Sequence, residues 1–379
     1  MNKTRNPFLI KGYISKDYFC DRVDELKELS RNAENGLDTT LISPRRMGKT
    51  GLIFRFFEYI DEHKLEFHAI YVDVFATRSL EDFVRQLAEA VLKYYPEKTN
   101  FGKKFMKFLK GLRPIISYNS ISGEPQVQIT YQTPQEKEYK ISELLQFLDS
   151  QNLQILIAID EFQQIKEYPE KNVEALLRTC IQQLKNIRFI FCGSNHSIML
   201  EIFSGAKRPF FGTTHYLYLE KIKQERYTQF IVERFSKSKI KIEAKAIEFI
   251  LDWTYLHTFY TQSLCNIVFS LGIRNVTIDE VKDACLQIIK QNEPIFLQYR
   301  QLLTPAQWNF LIALAKEEKV KHITAQDFIT KYQIGTPANA RRISQSLIDK
   351  DLIFMSTREK EITYQVYDVF LLRWLQSTY

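Results

Sequence analysis

The stretch Ser43-Pro44-Arg45-Arg46-Met47-Gly48-Lys49-Thr50 follows a short apolar run that ends at Ile42 and precedes a helix-like run that begins after Gly51. In a turn between a strand and a helix, successive backbone N–H groups converge on one point, where a phosphate group binds. Gly48 allows close approach of the backbone, the Lys49 ammonium reaches the phosphate oxygens, and the Thr50 hydroxyl is a ligand for Mg²⁺. The stretch therefore predicts a phosphate-binding loop that includes Gly51, with Ser43 at the position where the usual motif has glycine.

A second apolar run, Ile155–Ile159, is followed directly by Asp160 and Glu161. Branched residues without alternation indicate a strand that is buried on both faces of a parallel sheet, and ligands bind at the carboxyl edge of such sheets. Asp160 is therefore our candidate for holding Mg²⁺, and Glu161 is our candidate for polarising the water that attacks a γ-phosphate. Together with the loop, these residues predict a site for ATP and Mg²⁺. A core strand that happens to end in acidic residues is the alternative.

Four groups of residues make the chain resemble the archaeal-type P-loop ATPases of the AAA+ and STAND class, whose loop usually reads G-P-R-R-x-G-K-T. These groups are Asn6-Pro7-Phe8, Phe19-Cys20-Asp21-Arg22 with Glu25-Leu26, Pro44-Arg45-Arg46, and Asp160-Glu161-Phe162-Gln163. The resemblance implies an ATP-dependent α/β core, a helical lid and a C-terminal winged helix. It also implies that Arg22 lies at the nucleotide.

The same resemblance implies roles for polar residues that follow the acidic strand. The run Arg188–Gly193 has the position of the AAA+ sensor strand, so Ser194 or Asn195 would contact the γ-phosphate or its water. A polar turn that merely ends a strand is the alternative. Arg208 is the candidate arginine finger, which must reach the γ-phosphate to stabilise its charge. A surface arginine beside a turn-forming proline is the alternative, and Thr213 stands where family members often have arginine.

In the predicted lid, His257 begins a helix where the family has a turn that contains glycine and proline, which Leu256–Tyr260 lacks. A neutral imidazole can donate a hydrogen bond to a phosphate oxygen, so His257 is a candidate nucleotide contact. A capping or packing histidine is the alternative.

The composition is that of an ordinary globular protein, with 379 residues of which 45% are hydrophobic and 26% are charged. A chain of this length can form two or three domains. No apolar run is long enough to cross a bilayer, and the first residues lack the apolar segment of a signal peptide, so we expect a cytoplasmic protein. Five scattered cysteines suit reduced thiols, and a net charge of +7 permits an acidic partner without requiring one.

We predict an α/β fold with a P-loop parallel-sheet core over residues 1–222, a helical lid over 223–300 and a winged helix over 301–379. The core strands are predicted at Thr39–Ile42, Ala69–Val74, Ile155–Ile159, Arg188–Gly193 and His215–Leu219, and the core helices at Gly51–His63, Ser79–Tyr94, Ser142–Ser150 and Asn172–Leu184. The lid helices are predicted at Glu243–Trp253, Thr258–Leu271 and Asp279–Gln291.

A basic insertion interrupts the predicted core between about residues 96 and 138. One face of a predicted amphipathic helix carries its cations, which are Lys103, Lys104, Lys107, Lys110 and Arg113. A hairpin is predicted over Ser117–Gln132, with a glycine and a proline near its middle. The basic face suits nucleic acid or another anionic surface, and a merely solvated face is the alternative.

The last segment has the pattern of a winged helix-turn-helix, with two helices, a turn, a third helix and a two-stranded wing. Thr304 and Pro305 begin its first helix, and the third covers about Pro337–Asp349. The third helix carries Arg341 and Arg342, which suit contacts to DNA phosphates. Docking of a protein is the alternative use of such a domain.

These patterns predict an ATP-binding protein with Mg²⁺-dependent hydrolase activity, which acts as a nucleotide-driven conformational switch. Two alternatives remain, namely a DNA-binding protein regulated by ATP and a nucleotide sensor that recruits a protein partner without hydrolysing ATP. ATP and ADP are the expected ligands. DNA at the winged helix, a protein partner and self-association are further candidate interactions, and no membrane span is expected.

Overall fold

The computed structural model describes residues 6–111, 114–118, 123–129, 134–356 and 361–379. Within these residues the chain forms two compact units, one over Lys11–Ile222 and one that combines residues 6–10 with Lys223–Tyr379. No helix in these ranges is long and apolar enough to cross a membrane. The division into three domains remains a prediction.

The first unit alternates strands and helices. In chain order these are helix α1 (Val23–Glu34), strand β1 (Thr39–Ile42), α2 (Lys49–Glu62), β2 (His68–Asp73), α3 (Leu80–Tyr94), α4 (Asn100–Gly111), β3 (Pro114–Tyr118), β4 (Pro125–Ile129), α5 (Pro134–Asp149), β5 (Ile155–Asp160), α6 (Val173–Gln182), β6 (Ile187–Gly193), α7 (His196–Ser204) and β7 (His215–Tyr218). Short 3-10 turns cover Lys16–Tyr18 and Phe162–Glu167. The predicted core strands are confirmed, each within one residue of its expected bounds.

The main sheet is parallel and has the strand order β2-β5-β6-β1-β7. Strand β6 therefore lies between the loop strand β1 and the acidic strand β5. The register places Gly193 beside Ile42, and Asp160 beside Asp73. The carboxyl ends of β2, β5, β6 and β1 thus meet at one edge of the sheet, which is where parallel sheets bind ligands.

Strand β5 is buried at every residue, because helices cover both faces of the sheet. Ile155, Ile157 and Ile159 enter one apolar core, to which α3 to α7 contribute. Leu156 and Ala158 enter the other core, which α1 and α2 complete. Burial of apolar surface on both faces, at about 25 cal/mol per Å², holds β5 inside the sheet and keeps its acidic end in place.

The amphipathic helix of the basic insertion is present as α4. Its apolar Phe105, Met106 and Leu109 are buried, whereas Lys103, Lys104, Lys107 and Lys110 are exposed. The predicted hairpin is β3–β4, which starts at Pro114 rather than Ser117, and Arg113 lies outside the described residues. Helix α5 begins at Pro134 rather than Ser142, because proline suits the first turn of a helix.

The second unit is mainly helical. In chain order it contains α8 (Gln224–Lys237), β8 (Lys241–Ile242), α9 (Ala244–Trp253), α10 (Thr258–Ser270), β9 (Asn275–Val276), α11 (Ile278–Leu302), α12 (Pro305–Glu317), α13 (Gln326–Lys331), α14 (Pro337–Asp349), β10 (Ile353–Ser356), β11 (Thr363–Val366) and α15 (Val369–Thr378). The buried Phe8 ring packs against Phe230, Phe235 and Phe269, which explains why residues 6–10 belong to this unit.

The predicted end of α11 at Gln291 is wrong, because the helix continues to Leu302 through Pro294. Proline removes one backbone donor and disfavours a helix interior. Here packing compensates, since Phe296 is buried and the Trp374 indole donates a 3.2 Å hydrogen bond to Glu293 Oε1. Tertiary contacts therefore override the local preference.

Helices α12, α13 and α14, followed by the antiparallel hairpin β10–β11, form the predicted winged helix. Thr304 caps α12 by accepting a hydrogen bond from Gln307 N, with proline in the first turn. Arg341 and Arg342 are both exposed on α14. The terminal helix α15 closes the unit, with Trp374 buried beside other aromatic rings.

Candidate nucleotide and metal site

The loop between β1 and α2 has a left-handed backbone at two positions, Arg46 (φ 61°) and Gly48 (φ 94°). Glycine adopts this conformation without steric cost, which explains its place at the start of α2. Ser43 is not left-handed, so serine at the usual glycine position introduces no backbone strain. Its side chain is buried, and the hydroxyl donates to Pro44 O at 2.9 Å.

Lys49 points back into the loop. Its Nζ lies 3.2 Å from Pro44 O, 3.3 Å from Ser43 Oγ and 3.4 Å from Ser43 O. Burial lowers the pKa of Lys49, and the negative charges of Glu161 and Asp160 oppose this shift. Within the described residues this buried ammonium has hydrogen bonds to neutral oxygens alone, and the distances are long. It therefore gains from an anionic ligand, so the loop fits a phosphate group.

The Asp160 carboxylate is the centre of a hydrogen-bond network at the carboxyl edge. Its Oδ2 accepts hydrogen bonds from Thr50 Oγ1 at 2.7 Å and from Tyr71 OH at 2.9 Å. Its Oδ1 accepts from Glu161 N at 3.0 Å and from Cys192 Sγ at 3.2 Å. A hydroxyl and a carboxylate in contact are the hard oxygen donors that Mg²⁺ prefers, so the two side chains fit this ion.

The negative charge at this edge changes the titration of its neighbours. Burial raises the pKa of Asp73, and the adjacent Asp160 and Glu161 raise it further. Burial also raises the pKa values of Tyr71 and Cys192, again with a contribution from Asp160. Both groups therefore stay protonated and remain hydrogen-bond donors to the carboxylate.

Glu161 begins a tight turn after β5, with a left-handed backbone at φ 57°. Its Oε2 accepts hydrogen bonds from Ser194 Oγ at 2.7 Å, from Ser194 N at 3.3 Å and from Gln163 Nε2. The Asn195 side chain caps α7 by accepting from Ile198 N at 3.1 Å, and its contact with a γ-phosphate stays a prediction. The structure thus brings Ser194 to the proposed base.

The remaining loop residues have distinct surroundings. Pro44 and Arg45 are half-buried and Arg46 is exposed. Met47 is buried in the apolar core that α1 and α2 complete, so its side chain anchors the loop to that core. At Gly51 an added Cβ would lie 3.3 Å from the Phe19 ring, which leaves little room for a side chain.

Arg22 lies at the start of α1 and is buried, at 4% exposure. Its Nη1 donates to Glu25 Oε1 at 2.8 Å and to Glu220 O at 2.6 Å, just beyond the end of β7. Its Nη2 is buried and has no hydrogen-bond partner among the described residues. An acceptor on a ligand would satisfy this donor, so the predicted nucleotide contact of Arg22 fits its surroundings.

Arg208 and His257 each have contacts within their own unit. Arg208 forms ion pairs with Glu174, at 3.5 Å, and with Glu201. His257 belongs to the second unit, where it precedes α10 and its ring packs on Tyr260 with centroids 4.6 Å apart. Their contacts with nucleotide remain predictions.

Three residues of the network were not predicted as site residues: Tyr71, Gln163 and Cys192. Tyr71 and Cys192 contact Asp160 from the neighbouring strands β2 and β6, and only the register of the sheet reveals this proximity. Gln163 lies within the segment that resembles the archaeal ATPases, so its position two residues after Glu161 was an available signal.

Comparisons with known proteins agree with this geometry. Residues 19–258 match the family model described as "ATPase domain predominantly from Archaea", and residues 294–377 match the "probable winged helix domain". No curated protein matches the chain.

Solved structures with low sequence identity share the fold. The Walker-type ATPase of Pyrococcus abyssi aligns with a TM-score of 0.64 and 17% identity, over 98% of this chain and 99% of that chain. The ORC2 protein of Aeropyrum pernix, with ADPNP and ADP, aligns with a TM-score of 0.59 and 16% identity, over 99% and 97%. The Aeropyrum pernix ORC1 protein in complex with DNA aligns with a TM-score of 0.52 and 12% identity, over 99% and 97%.

The family match covers more than half of the chain, including the loop and the acidic strand. The fold, with its parallel sheet, nucleotide-binding loop and winged helix, agrees with that match. The chain therefore belongs to the family of ATPase domains found predominantly in Archaea.

Proposed function

We propose that the protein is a Mg²⁺-dependent ATPase that works as a nucleotide-driven conformational switch. The observation that supports this most strongly is the 2.7 Å contact between Thr50 Oγ1 and Asp160 Oδ2 at the mouth of the loop. The contact joins the hydroxyl of Thr50, which directly follows Lys49, to the carboxylate of Asp160. Asp160 in turn directly precedes Glu161, the candidate base. ATPases of this class need both groups at one place.

Each residue has a defined task in this proposal. The loop N–H groups and Lys49 hold the β- and γ-phosphates, and Thr50 and Asp160 hold Mg²⁺. The ion supplies neutralisation of the phosphate charge when bound. Glu161 accepts a proton from the attacking water, and Ser194 keeps the Glu161 carboxylate near the end of β6.

The Glu161→Gln variant tests hydrolysis. The amide keeps the size of the side chain but cannot accept the proton, so we expect turnover to fall about 100-fold or more while ATP affinity changes little. Glu167→Gln, in the exposed part of the same turn, is the matched control and should hydrolyse ATP at the normal rate. Normal turnover in Glu161→Gln would remove Glu161 as the base.

The switch needs a nucleotide that binds one arrangement of the two units more tightly than another. Small-angle scattering of Glu161→Gln with ATP and of the wild type with ADP would measure the difference. We expect the two profiles to differ, and identical profiles would reject the switch.

Because the proposed function depends on ATP, we also propose that the protein is located in the cytoplasm.

A DNA-binding role is a second candidate, favoured by the exposed Arg341 and Arg342 on α14. The relative with DNA bound, ORC1, shares the fold. If these arginines bind phosphates, Arg341→Gln combined with Arg342→Gln should weaken duplex binding and reduce its log–log salt slope by about two. The control is Lys282→Gln combined with Lys290→Gln. Both lysines are exposed on α11, so this pair removes the same charge and should leave DNA binding unchanged.

A nucleotide sensor that recruits a protein is the remaining alternative. It predicts that ATP stays bound and intact during long incubation with Mg²⁺, and that partner binding depends on that ATP. Single-turnover hydrolysis by the wild type, absent in Glu161→Gln, would exclude it.

A further inference from the structure

The side chain of Gln163 contacts the proposed base directly. Its Nε2 donates to Glu161 Oε2, the oxygen that also accepts from Ser194 Oγ and N. Among the described residues, no hydrogen bond reaches the other carboxylate oxygen, Oε1. Three donors therefore fix one oxygen of Glu161 and leave the second available for the water proton.

The backbone gives Gln163 little freedom to leave this contact. The left-handed Glu161 turns the chain, and Gln164 N closes the turn by donating to Glu161 O at 2.9 Å. Phe162 is fully buried, with its ring 4.7 Å from that of Phe191 and 5.7 Å from that of Phe203. This anchor holds the amide of Gln163 between Glu161 and the end of β6.

The oxygen of the same amide destabilises the fold, because it is a buried acceptor without a donor among the residues that the structure describes. Gln163 Oε1 is buried and has no hydrogen-bond partner in the described part of the chain. It lies against Gly193, where an added Cβ would be 2.0 Å away. A buried acceptor without a donor destabilises a fold, and such groups persist where function needs them. The amide therefore adopts an orientation that lets Nε2 bond to the Glu161 carboxylate, although Oε1 then has no donor within the described ranges.

We propose that Gln163 is the positioning residue for Glu161, and that Gly193 provides the space in which its amide fits. Gln163 holds the carboxylate against Ser194 so that Oε1 faces the reacting water. This inference rests on the proposed ATPase function. It adds a residue to the machinery that neither contacts ATP nor takes part in proton transfer.

The first test compares Gln163→Leu with Gln164→Leu. Leucine removes both the donor and the unsatisfied acceptor, so we expect kcat to fall about 10- to 100-fold while ATP affinity stays within a factor of two. The melting temperature should stay equal or rise, because no buried polar atom is left unsatisfied. Gln164 sits in the same turn and makes no side-chain hydrogen bond within the described chain, so its variant should keep a normal kcat. A normal kcat in Gln163→Leu would overturn the proposal.

A substitution series separates donor capacity from packing. Gln163→Asn keeps an amide on a shorter side chain and should retain part of the activity. Gln163→Glu keeps the shape but places a second carboxylate beside Glu161, so it should be less active than Gln163→Leu. An order of kcat that follows melting temperature instead would contradict a positioning role.

Gly193→Ala gives independent evidence, because its methyl group would displace the Gln163 amide. We expect a loss of kcat similar to that of Gln163→Leu. The double variant Gly193→Ala, Gln163→Ala removes the clash with Gln163 and leaves the smaller one with Met199, whose Sδ would lie 2.8 Å from the added Cβ, so the two losses should add only in part. Fully additive losses would show that Gly193 acts separately, and would reject the shared arrangement.

The outcomes distinguish this inference from the proposed function. If the wild type hydrolyses no ATP under single-turnover conditions, the ATPase function fails and the inference fails with it. If Glu161→Gln is inactive but Gln163→Leu is fully active, only the inference fails.

Discussion

Thr50 Oγ1 and Asp160 Oδ2 lie 2.7 Å apart, although 110 positions separate them in the sequence. Thr50 is exposed in the first turn of α2, and Asp160 is the buried last residue of β5. Their contact places the end of the phosphate-binding loop beside the acidic edge of the sheet.

Thr50→Ala removes the hydroxyl and should reduce ATP turnover about 100-fold at low Mg²⁺ concentration, because one ligand of the ion is lost. Raising the Mg²⁺ concentration should restore part of the rate. Thr50→Ser keeps the oxygen and should remain close to wild type. Steady-state hydrolysis over a Mg²⁺ titration measures both, and equal Mg²⁺ dependence in all three proteins would contradict the assignment.

Tyr71→Phe removes the second donor to Asp160 Oδ2 and keeps the ring that packs on Phe54, with centroids 4.8 Å apart. The carboxylate should then be less well oriented, so we expect a several-fold higher Mg²⁺ requirement without a loss of folding. Tyr59→Phe is the control, because the Tyr59 hydroxyl makes no hydrogen bond within the described residues. Identical Mg²⁺ requirements in both variants would exclude Tyr71 from the site.

Arg208→Gln tests the arginine finger. Arg208 and Lys166 both pair with the buried Glu174 and with the exposed Glu201, so the two cations belong to one ion-pair cluster. A catalytic Arg208 predicts loss of turnover only in Arg208→Gln, with Lys166→Gln as the matched control. Equal activity of the two variants would limit Arg208 to the ion-pair cluster.

Asp38 should make stability depend on pH. Burial raises its pKa to about 6, although Phe189 N donates to it at 2.8 Å. A pKa above that of the unfolded chain stabilises the fold at low pH, and this contribution is lost as the pH rises through about 6. Because Asp38 is partly exposed, we expect a loss of about 1–2 kcal/mol between pH 4 and pH 7.

The comparison for Asp38 is Asp38→Asn, which keeps an acceptor for Phe189 N but cannot ionise. Urea denaturation at pH 4, 5, 6 and 7 measures both proteins. The stability of the wild type relative to the variant should fall across this range. Parallel curves would show that Asp38 titrates in the same way in the folded and unfolded chains.

The sequence was sufficient for elements whose pattern is local. The continuous apolar run of β5 predicted a strand buried on both faces, and the acidic pair after it marked the carboxyl edge. The loop is recognisable because glycine, lysine and threonine have fixed spacing in it. Proline at the start of α12 and α14 likewise marked where these helices begin.

Features that depend on the register of the sheet were not accessible from the sequence. Tyr71 lies in the middle of β2 and looks like a core residue, until its pairing with β5 places its hydroxyl at Asp160. The continuation of α11 through Pro294 depends on packing of Phe296 and Trp374, which are far apart in sequence. The local preference of proline instead predicted that the helix would end before Pro294.

The central claim is that the loop and the acidic strand bind one Mg²⁺–ATP together. Calorimetric titration of ATP in the presence of Mg²⁺ and in the presence of EDTA, for the wild type and Asp160→Asn, tests it most directly. We expect the wild type to bind ATP more tightly with Mg²⁺, and the variant to keep the metal-free affinity while losing most of the Mg²⁺ enhancement. Absence of ATP binding by the wild type, or an undiminished enhancement in Asp160→Asn, would contradict the account.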